Sequence, residues 1–262
     1  MNNLDNKFIK NILGLNLKYG SDLKFHDKSK KYLSKLSDRL FILEVFEKNL
    51  KEILNDNRRF TLPNFEFFCN ENFSLRFNFF LKNEKIRFND ALHLIHDHGN
   101  NILTTKMIFG QGYKSINFKK SKNNLEIQKR INHKLNNSYT IKEYTPHLVF
   151  NVSDFSVSIN LWTKGNGKVN RKDRLNYYLK DNKYFQVKDS ELIDYEISKI
   201  TKTDDKLILR CFLYWLNSLG FEKSYLVNKL PELYTRRNDL FLEPKLYKND
   251  SNFDLIMNYN DF

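Results

Sequence analysis

The N-terminal part of the chain has the hydrophobic periodicity of an amphipathic helix. Between Lys31 and Leu54, apolar residues recur every three or four positions. They are Leu33, Leu36, Leu40, Leu43, Phe46, Leu50 and Ile53. A break is expected near Ser37-Asp38. We predict that residues 1–60 form a helical segment packed on the next domain.

Strict alternation replaces this periodicity from about Phe65 to Trp162. In the clearest stretch, phenylalanine and leucine occupy one face of a strand, and polar residues occupy the other. The apolar face holds Phe73, Leu75, Phe77 and Phe79, and the polar face holds Ser74, Arg76 and Asn78. Several short strands in succession are typical of a sandwich or small barrel. We therefore predict a β-barrel over residues 61–165, closed by a turn at Gly165-Asn166-Gly167.

The remaining residues, 166–262, are predicted to form a partly helical C-terminal extension. Lys206 to Leu219 has the pattern of a buried helix that ends at Gly220. A further helix is expected after Pro231, whereas Tyr177 to Ile200 is ambiguous between helix and strand.

Composition and charge narrow the function classes. The 262 residues are 40% hydrophobic and 15% aromatic, which argues against disorder and provides for a large core. The formal net charge of +13 comes from lysines spread along the whole chain rather than gathered in one patch. Specific nucleic-acid binding is therefore not expected.

The two cysteines, Cys69 and Cys211, are far apart and form neither a disulfide framework nor a CxxC motif. No apolar run approaches the roughly 20 residues of a membrane span, and the first residues lack a signal-peptide pattern. We expect a cytoplasmic protein without a membrane partner.

Three histidines are the strongest chemical signal. His96 and His98 are two residues apart, so on one strand they share a face while Asp97 points away. His147 lies in a second apolar stretch, and a neighbouring barrel strand can place it against the first two. Imidazole suits iron, zinc, copper and nickel, and three protein ligands leave a coordination position for substrate. The sequence thus predicts a metal site at His96, His98 and His147.

The other histidines have weaker patterns. His93 is an odd number of positions from His96 and His98, so on a regular strand it faces away from the site, although a bulge would reverse this. His26 and His133 lie in polar, loop-like sequence, which favours a structural role.

These histidines fall within two motifs that resemble those of the cupin superfamily. The first motif is HxH, four residues, a position usually held by glutamate, six residues and a glycine; here Leu103 and Gly110 hold the last two positions. The second is a histidine followed, after three residues, by asparagine, as in His147 to Asn151. The resemblance implies a cupin-type β-barrel, or double-stranded β-helix, in a protein that often dimerises.

A cupin motif with three histidines and no glutamate resembles the motif of the thiol dioxygenases, and of cysteine dioxygenase in particular. That family also shares the Ile-His-Asp-His of residues 95–98 and a lysine like Lys106. The resemblance covers Phe73 to Trp162 and implies Fe(II), dioxygen and a small thiol substrate.

The chain departs from that family at several positions. Leu103 stands where the mammalian-type enzyme has a cysteine cross-linked to a tyrosine, and Trp162 aligns loosely with that tyrosine. Of a Ser-His-Tyr relay only Ser158 remains. The family also binds the substrate carboxylate with an arginine, for which the candidates are Arg58, Arg59 and Arg76. The substrate is therefore left open.

Three neutral ligands leave ferrous iron its full positive charge, which attracts a thiolate or carboxylate. Arg76 faces either the barrel interior, where it needs an anionic partner, or solvent. Five aromatic residues are available for a dry pocket, although each is by itself more typical of barrel core. They are Phe77, Phe79, Phe109, Phe150 and Trp162.

We predict a non-haem Fe(II)-dependent dioxygenase acting on a small metal-chelating substrate, with Arg76, Trp162 and Ser158 as further catalytic candidates. Zinc, nickel and manganese are alternative metals. Other cupin activities remain open: an isomerase, a decarboxylase, or a 2-oxoglutarate-dependent hydroxylase, for which only Asp97 or Asp90 offers a carboxylate ligand. A third possibility is a non-catalytic cupin that binds a ligand.

Overall fold

Two antiparallel sheets form the centre of the molecule. The computed structural model describes residues 7–54, 64–81, 95–121, 124–150, 154–163, 175–180, 183–188 and 207–242. The first sheet contains, in spatial order, β1 (Asn64–Cys69), β2 (Phe73–Phe80), β9 (Ser156–Thr163), β4 (Ile102–Phe109) and β7 (Ser138–Ile141). The second contains β11 (Lys183–Lys188), β10 (Leu175–Lys180), β3 (Ile95–His96), β8 (His147–Phe150), β5 (Tyr113–Ser121) and β6 (Asn124–His133).

The strand order is that of a double-stranded β-helix. From β2 to β9 successive strands alternate between the two sheets, except that β5 and β6 form a hairpin within the second sheet. This two-sheet jelly roll is the architecture of cupins. The predicted fold class is confirmed: a mainly-β cupin-type barrel with N-terminal helices and a helical C-terminal extension. The described part of the extension begins with the β10–β11 hairpin, most of which lies in the ambiguous stretch and which widens the second sheet.

The described helices lie on either side of the barrel strands in sequence. The N-terminal set is α1 (Lys7–Tyr19), α2 (Leu23–Leu33), a 3₁₀ turn (Ser34–Ser37), α3 (Arg39–Lys48) and α4 (Leu50–Leu54). The C-terminal set is α5 (Leu207–Ser218), α6 (Lys223–Lys229), α7 (Pro231–Arg237) and α8 (Asp239–Leu242).

The predicted helix boundaries are largely confirmed. The predicted break falls at Asp38, whose carboxylate caps α3 by accepting the Leu40 and Phe41 amide protons. The predicted C-terminal helix is α5, and Gly220 follows it with a φ of +86°. The turn predicted at residues 165–167 lies outside the described residues.

Both sets of helices pack on the same face of the first sheet. The Phe212 ring of α5 stacks on Phe46 of α3 at 4.7 Å between centroids. Phe79 of β2 lies 5.0 Å from Phe212 and 6.0 Å from Trp215. The phenylalanine face of β2 therefore points outward into a helical layer, and its polar face points into the barrel.

His26 and His133 have the predicted structural role, but the expectation that they lie in loop-like surroundings was wrong. His26 lies in α2, is fully buried, and its two ring nitrogens bond the Thr104 and Thr163 hydroxyls at 2.8 and 2.9 Å. His133 ends β6 and bonds the Ser115 hydroxyl at 2.7 Å. Neighbouring polar residues suggested loops, but elements distant in sequence bury both rings.

The buried His26 predicts a pH-dependent stability. Desolvation, with a smaller contribution from Lys30, lowers its pKa to about 3, so below about pH 6.5 the unfolded chain takes up a proton that the folded chain does not. The contribution of His26 to the free energy of unfolding is therefore complete above about pH 6.5 and decreases as the pH falls below that value. Between about pH 7.5 and about pH 5, this one group accounts for about 2 kcal/mol. His26→Gln should remove that part of the pH dependence in urea unfolding, and equal pH dependence in both proteins would contradict the assignment.

Candidate metal centre

The structure brings together the three histidines that the sequence singled out. His96 ends β3, and its partner in β8 is His147. His98 follows β3, and its ring centroid lies 5.2 Å from that of His96 and 4.5 Å from that of His147. One ligand nitrogen from each residue lies within 4.8 Å of the others. In the described part of the chain this is the one group of three or more metal-binding side chains.

A tight turn after β3 positions His98. The Asp97 carboxylate accepts the amide proton of Gly99 at 2.8 Å, and Gly99 has a φ of +58° that favours glycine. The Asn101 amide protons, from backbone and side chain, both bond the carbonyl of His98. Asp97 is thus engaged in the turn and is not part of the histidine cluster.

The hydrogen bond of His147 fixes the tautomer of its ring. Its Nδ1 lies 3.0 Å from the carbonyl oxygen of Thr145, so Nδ1–H donates to that oxygen. The lone pair then resides on Nε2. Histidine ligands of metals typically have such a partner on the other nitrogen, because it fixes the tautomer and the ring orientation.

The donor set fits a divalent transition metal. Three imidazoles suit Fe(II), Zn(II), Ni(II) and Cu(II), and three protein ligands leave positions for a substrate. His98 and His147 are 5% and 2% exposed, and a histidine binds a metal through its neutral ring. A neutral cluster of this kind can hold a metal dication.

Trp162 covers one side of the cluster. Its ring centroid is 4.4 Å from that of His98, and its cross-strand partner is Leu103 of β4. These are the two positions at which the thiol dioxygenase resemblance places a cross-linked tyrosine and cysteine. They are direct neighbours in the sheet, and neither cross-linking residue is present.

Arg76 lies on the interior face of β2 and has an anionic partner within the protein. Its guanidinium bonds the Glu66 carboxylate at 2.8 and 2.9 Å and lies 5.4 Å from the centre of the Trp162 ring. About one third of each charged side chain is exposed. Sequence reasoning missed Glu66, because only the β1–β2 register places it opposite Arg76.

Ser158 also faces the interior, where its hydroxyl donates to Asn160 Oδ1 at 2.9 Å. Both residues are buried, and Asn160 is the cross-strand partner of Arg76. The other candidates, Arg58, Arg59, Asp90 and His93, lie outside the described residues.

Three of the five aromatic residues considered for a dry pocket lie outside the site. Phe77, Phe79 and Phe109 contact Trp215 of the helical layer, on the outer face. The side chain of Phe150 lies outside the described part. Among the four whose side chains are described, Trp162 lies beside the histidines. For the three phenylalanines the core interpretation holds, because the helices cover the phenylalanine face.

A second polar cluster adjoins His147 on the second sheet. Asn117 of β5 is the cross-strand partner of His147, and its side-chain amide donates to the Tyr139 hydroxyl at 2.9 Å. Further along β5, His133 stacks on Tyr113 at 4.2 Å. Burial, and secondarily the nearby His147, lowers the pKa of His133 to about 4. The barrel interior therefore offers neutral hydrogen-bonding groups near the three histidines.

Comparison with known proteins finds likeness only among solved structures. No family model and no curated protein matches the chain. KdgF from Halomonas sp. is 13% identical with a TM-score of 0.29, over 39% of this chain and 78% of that one. A cupin domain from Bordetella pertussis is 11% identical with a TM-score of 0.29, over 41% and 98%.

The DMSP lyase DddQ from Ruegeria pomeroyi is 8% identical with a TM-score of 0.29; the match covers 41% of this chain and about half, 49%, of DddQ. At such TM-scores these likenesses carry no argument, and the cupin-type fold rests on the strand order of the two sheets. The closer resemblance to thiol dioxygenases stays a prediction. In the described part of the chain, no helix has the length and apolarity that a membrane span requires.

Proposed function

We propose that this protein is a metal-dependent enzyme that binds a small anionic substrate at His96, His98 and His147. The observation that carries the proposal is the convergence of three imidazoles in a barrel, with their ligand atoms within 4.8 Å of one another. The Nδ1–H of His147 on a backbone carbonyl supports a ligand role, because it presents the other nitrogen to a metal.

The first specific activity to test is that of a non-haem Fe(II) dioxygenase acting on a metal-chelating carboxylate or thiol. Bound iron would supply both a Lewis acid and a redox centre. Three neutral ligands leave the charge of a dication uncompensated, which favours an anionic substrate beside them. Trp162 limits access of water on the His98 side, where the rings are 4.4 Å apart.

A second candidate is a non-redox activity, such as that of an isomerase or a decarboxylase. The polar interior beside the histidines favours it: Asn117 and Tyr139 on one side, Asn160 and Ser158 on the other. Such groups hold a polar substrate in place by hydrogen bonds, and a tyrosine hydroxyl such as that of Tyr139 can also transfer a proton. Zinc, nickel or manganese would serve this chemistry as well as iron.

Oxygen consumption separates the two candidates. Protein loaded with iron under anaerobic conditions is mixed with aerated buffer and a panel of small thiols and carboxylates, with and without 2-oxoglutarate. Substrate-dependent oxygen uptake that His96→Ala abolishes would support the dioxygenase, and strict dependence on 2-oxoglutarate would identify a hydroxylase instead. Metal binding without uptake for any substrate would count against both oxygen-dependent activities and favour the non-redox candidate.

A further inference from the structure

A row of polar residues crosses the barrel interior and ends at the metal centre. Arg76, Asn160, Thr105 and Tyr139 are successive cross-strand partners on β2, β9, β4 and β7. The Tyr139 hydroxyl accepts a hydrogen bond from the side-chain amide of Asn117, and Asn117 is the cross-strand partner of His147. Because cross-strand partners share a face of the sheet, these side chains form a continuous row on the interior wall of the barrel.

Several buried polar atoms along this wall have no hydrogen-bond partner among the described residues. Besides the Thr105 hydroxyl, they are Asn117 Oδ1, Asn78 Oδ1 and Trp162 Nε1. Asn117 as a whole is 5% exposed, and its other polar atom is already used by Tyr139. Buried polar groups in native proteins are nearly always satisfied, so several such atoms near one site indicate a bound partner.

All three atoms lie on interior faces of the barrel. Asn117 adjoins His147 in the register, and the Trp162 ring contacts His98. Asn78 is the partner of Ser158 and lies on the interior face of β2, one interior position beyond Arg76. The arrangement offers two carbonyl acceptors and one N–H donor.

We infer that these three residues form a subsite for the hydroxyl groups of a polyhydroxylated carboxylate. Hydroxyl groups donate to the two asparagine oxygens and accept from the indole N–H. An ammonium group would donate as well, but it would lie beside a metal dication, and like charges repel. The carboxylate end is attracted to the metal, because Glu66 already neutralises Arg76.

This inference rests on the metal centre of the proposed function, and matched carboxylates test it. Zinc-loaded protein is titrated calorimetrically with gluconate and with 2-hydroxyhexanoate, which keeps the carboxylate and its neighbouring hydroxyl but lacks the other four. We expect gluconate to bind about tenfold more tightly, equivalent to about 1.4 kcal/mol. Asn117→Leu should reduce that preference to less than about threefold, because it removes one acceptor of the subsite. The zinc content should not change, because Asn117 is not part of the histidine cluster.

Two further variants complete the design. Asn16→Ala alters another asparagine that is 5% exposed, in α1, and should leave the gluconate preference intact. Trp162→Phe removes the N–H donor and should weaken the preference even if Asn117→Leu does not fold. Equal affinity for the two carboxylates in the native protein, or an undiminished preference in folded Asn117→Leu and Trp162→Phe, would overturn the subsite. Native protein that holds no zinc would overturn the metal centre itself, which the zinc assay reports separately.

Discussion

Replacing His147 by alanine is expected to reduce metal affinity by more than about 100-fold. Loss of a mere outer hydrogen-bond partner of a metal ligand reduces affinity by about 10–100-fold, and His147 supplies one of three ligand atoms. Its ring also spans the two sides of the site, 4.4 Å from His96 and 4.5 Å from His98. The measurement is iron or zinc per chain after anaerobic loading and desalting.

A matched control is available in the same barrel. His133 is also buried, 3% exposed, and faces the interior, but it bonds Ser115 and is not part of the cluster. His133→Ala should lower stability, because it leaves the Ser115 hydroxyl without that bond, yet retain metal. Full metal content in His147→Ala, or an equal loss in both variants, would be incompatible with the three-histidine site.

Replacing Gly112 by alanine should destabilise the barrel by about 3 kcal/mol or more. Its φ of +87° disfavours a residue with a side chain, which accounts for about 1–2 kcal/mol. An added Cβ would also collide with the backbone carbonyl of His133, and overpacking typically adds 1–3 kcal/mol. The backbone cannot move away easily, because the Gly112 amide donates to the Ser156 hydroxyl at 2.9 Å. Urea unfolding of the native protein and the variant measures the effect.

Gly14 provides the opposite case. It lies within α1, and a Cβ added there meets nothing within 4 Å. Gly14→Ala should therefore stabilise the protein by up to about 1 kcal/mol, through the higher helix propensity of alanine. A destabilisation of Gly112→Ala no larger than 1 kcal/mol would show that the turn before β5 yields to accommodate a side chain.

Local patterns sufficed for the helix boundaries and for the ligand triad. Asp38 interrupts the N-terminal helix, as predicted, because its side chain satisfies the first amide protons of α3. His96 and His98 share a face even though the strand ends at His96, since the turn at Gly99 keeps both rings on one side. His147 was located by its motif, but only the pairing of β3 with β8 sets it against His96.

The side chains that surround the three histidines could not be predicted from local sequence patterns. Alternation in β2 separates the phenylalanine face from the face of Ser74 and Arg76, but a period of two does not say which face is interior. Helices cover the phenylalanine face, and the opposite face points into the barrel. Burial of the phenylalanines therefore does not mean that they lie inside the barrel. Glu66 as the partner of Arg76, and Asn117 beside His147, depend on strand register.

The sequence by itself determined that this chain has helical ends, alternating strands between them and a histidine pair with a third histidine to match. These features depend on neighbours within a few residues, where backbone geometry fixes which side chains share a face. The tertiary structure alone decided that the helices of both ends form one layer, that the polar faces line the barrel, and that His26 and His133 are buried. Those outcomes depend on contacts between distant segments, which no local periodicity encodes.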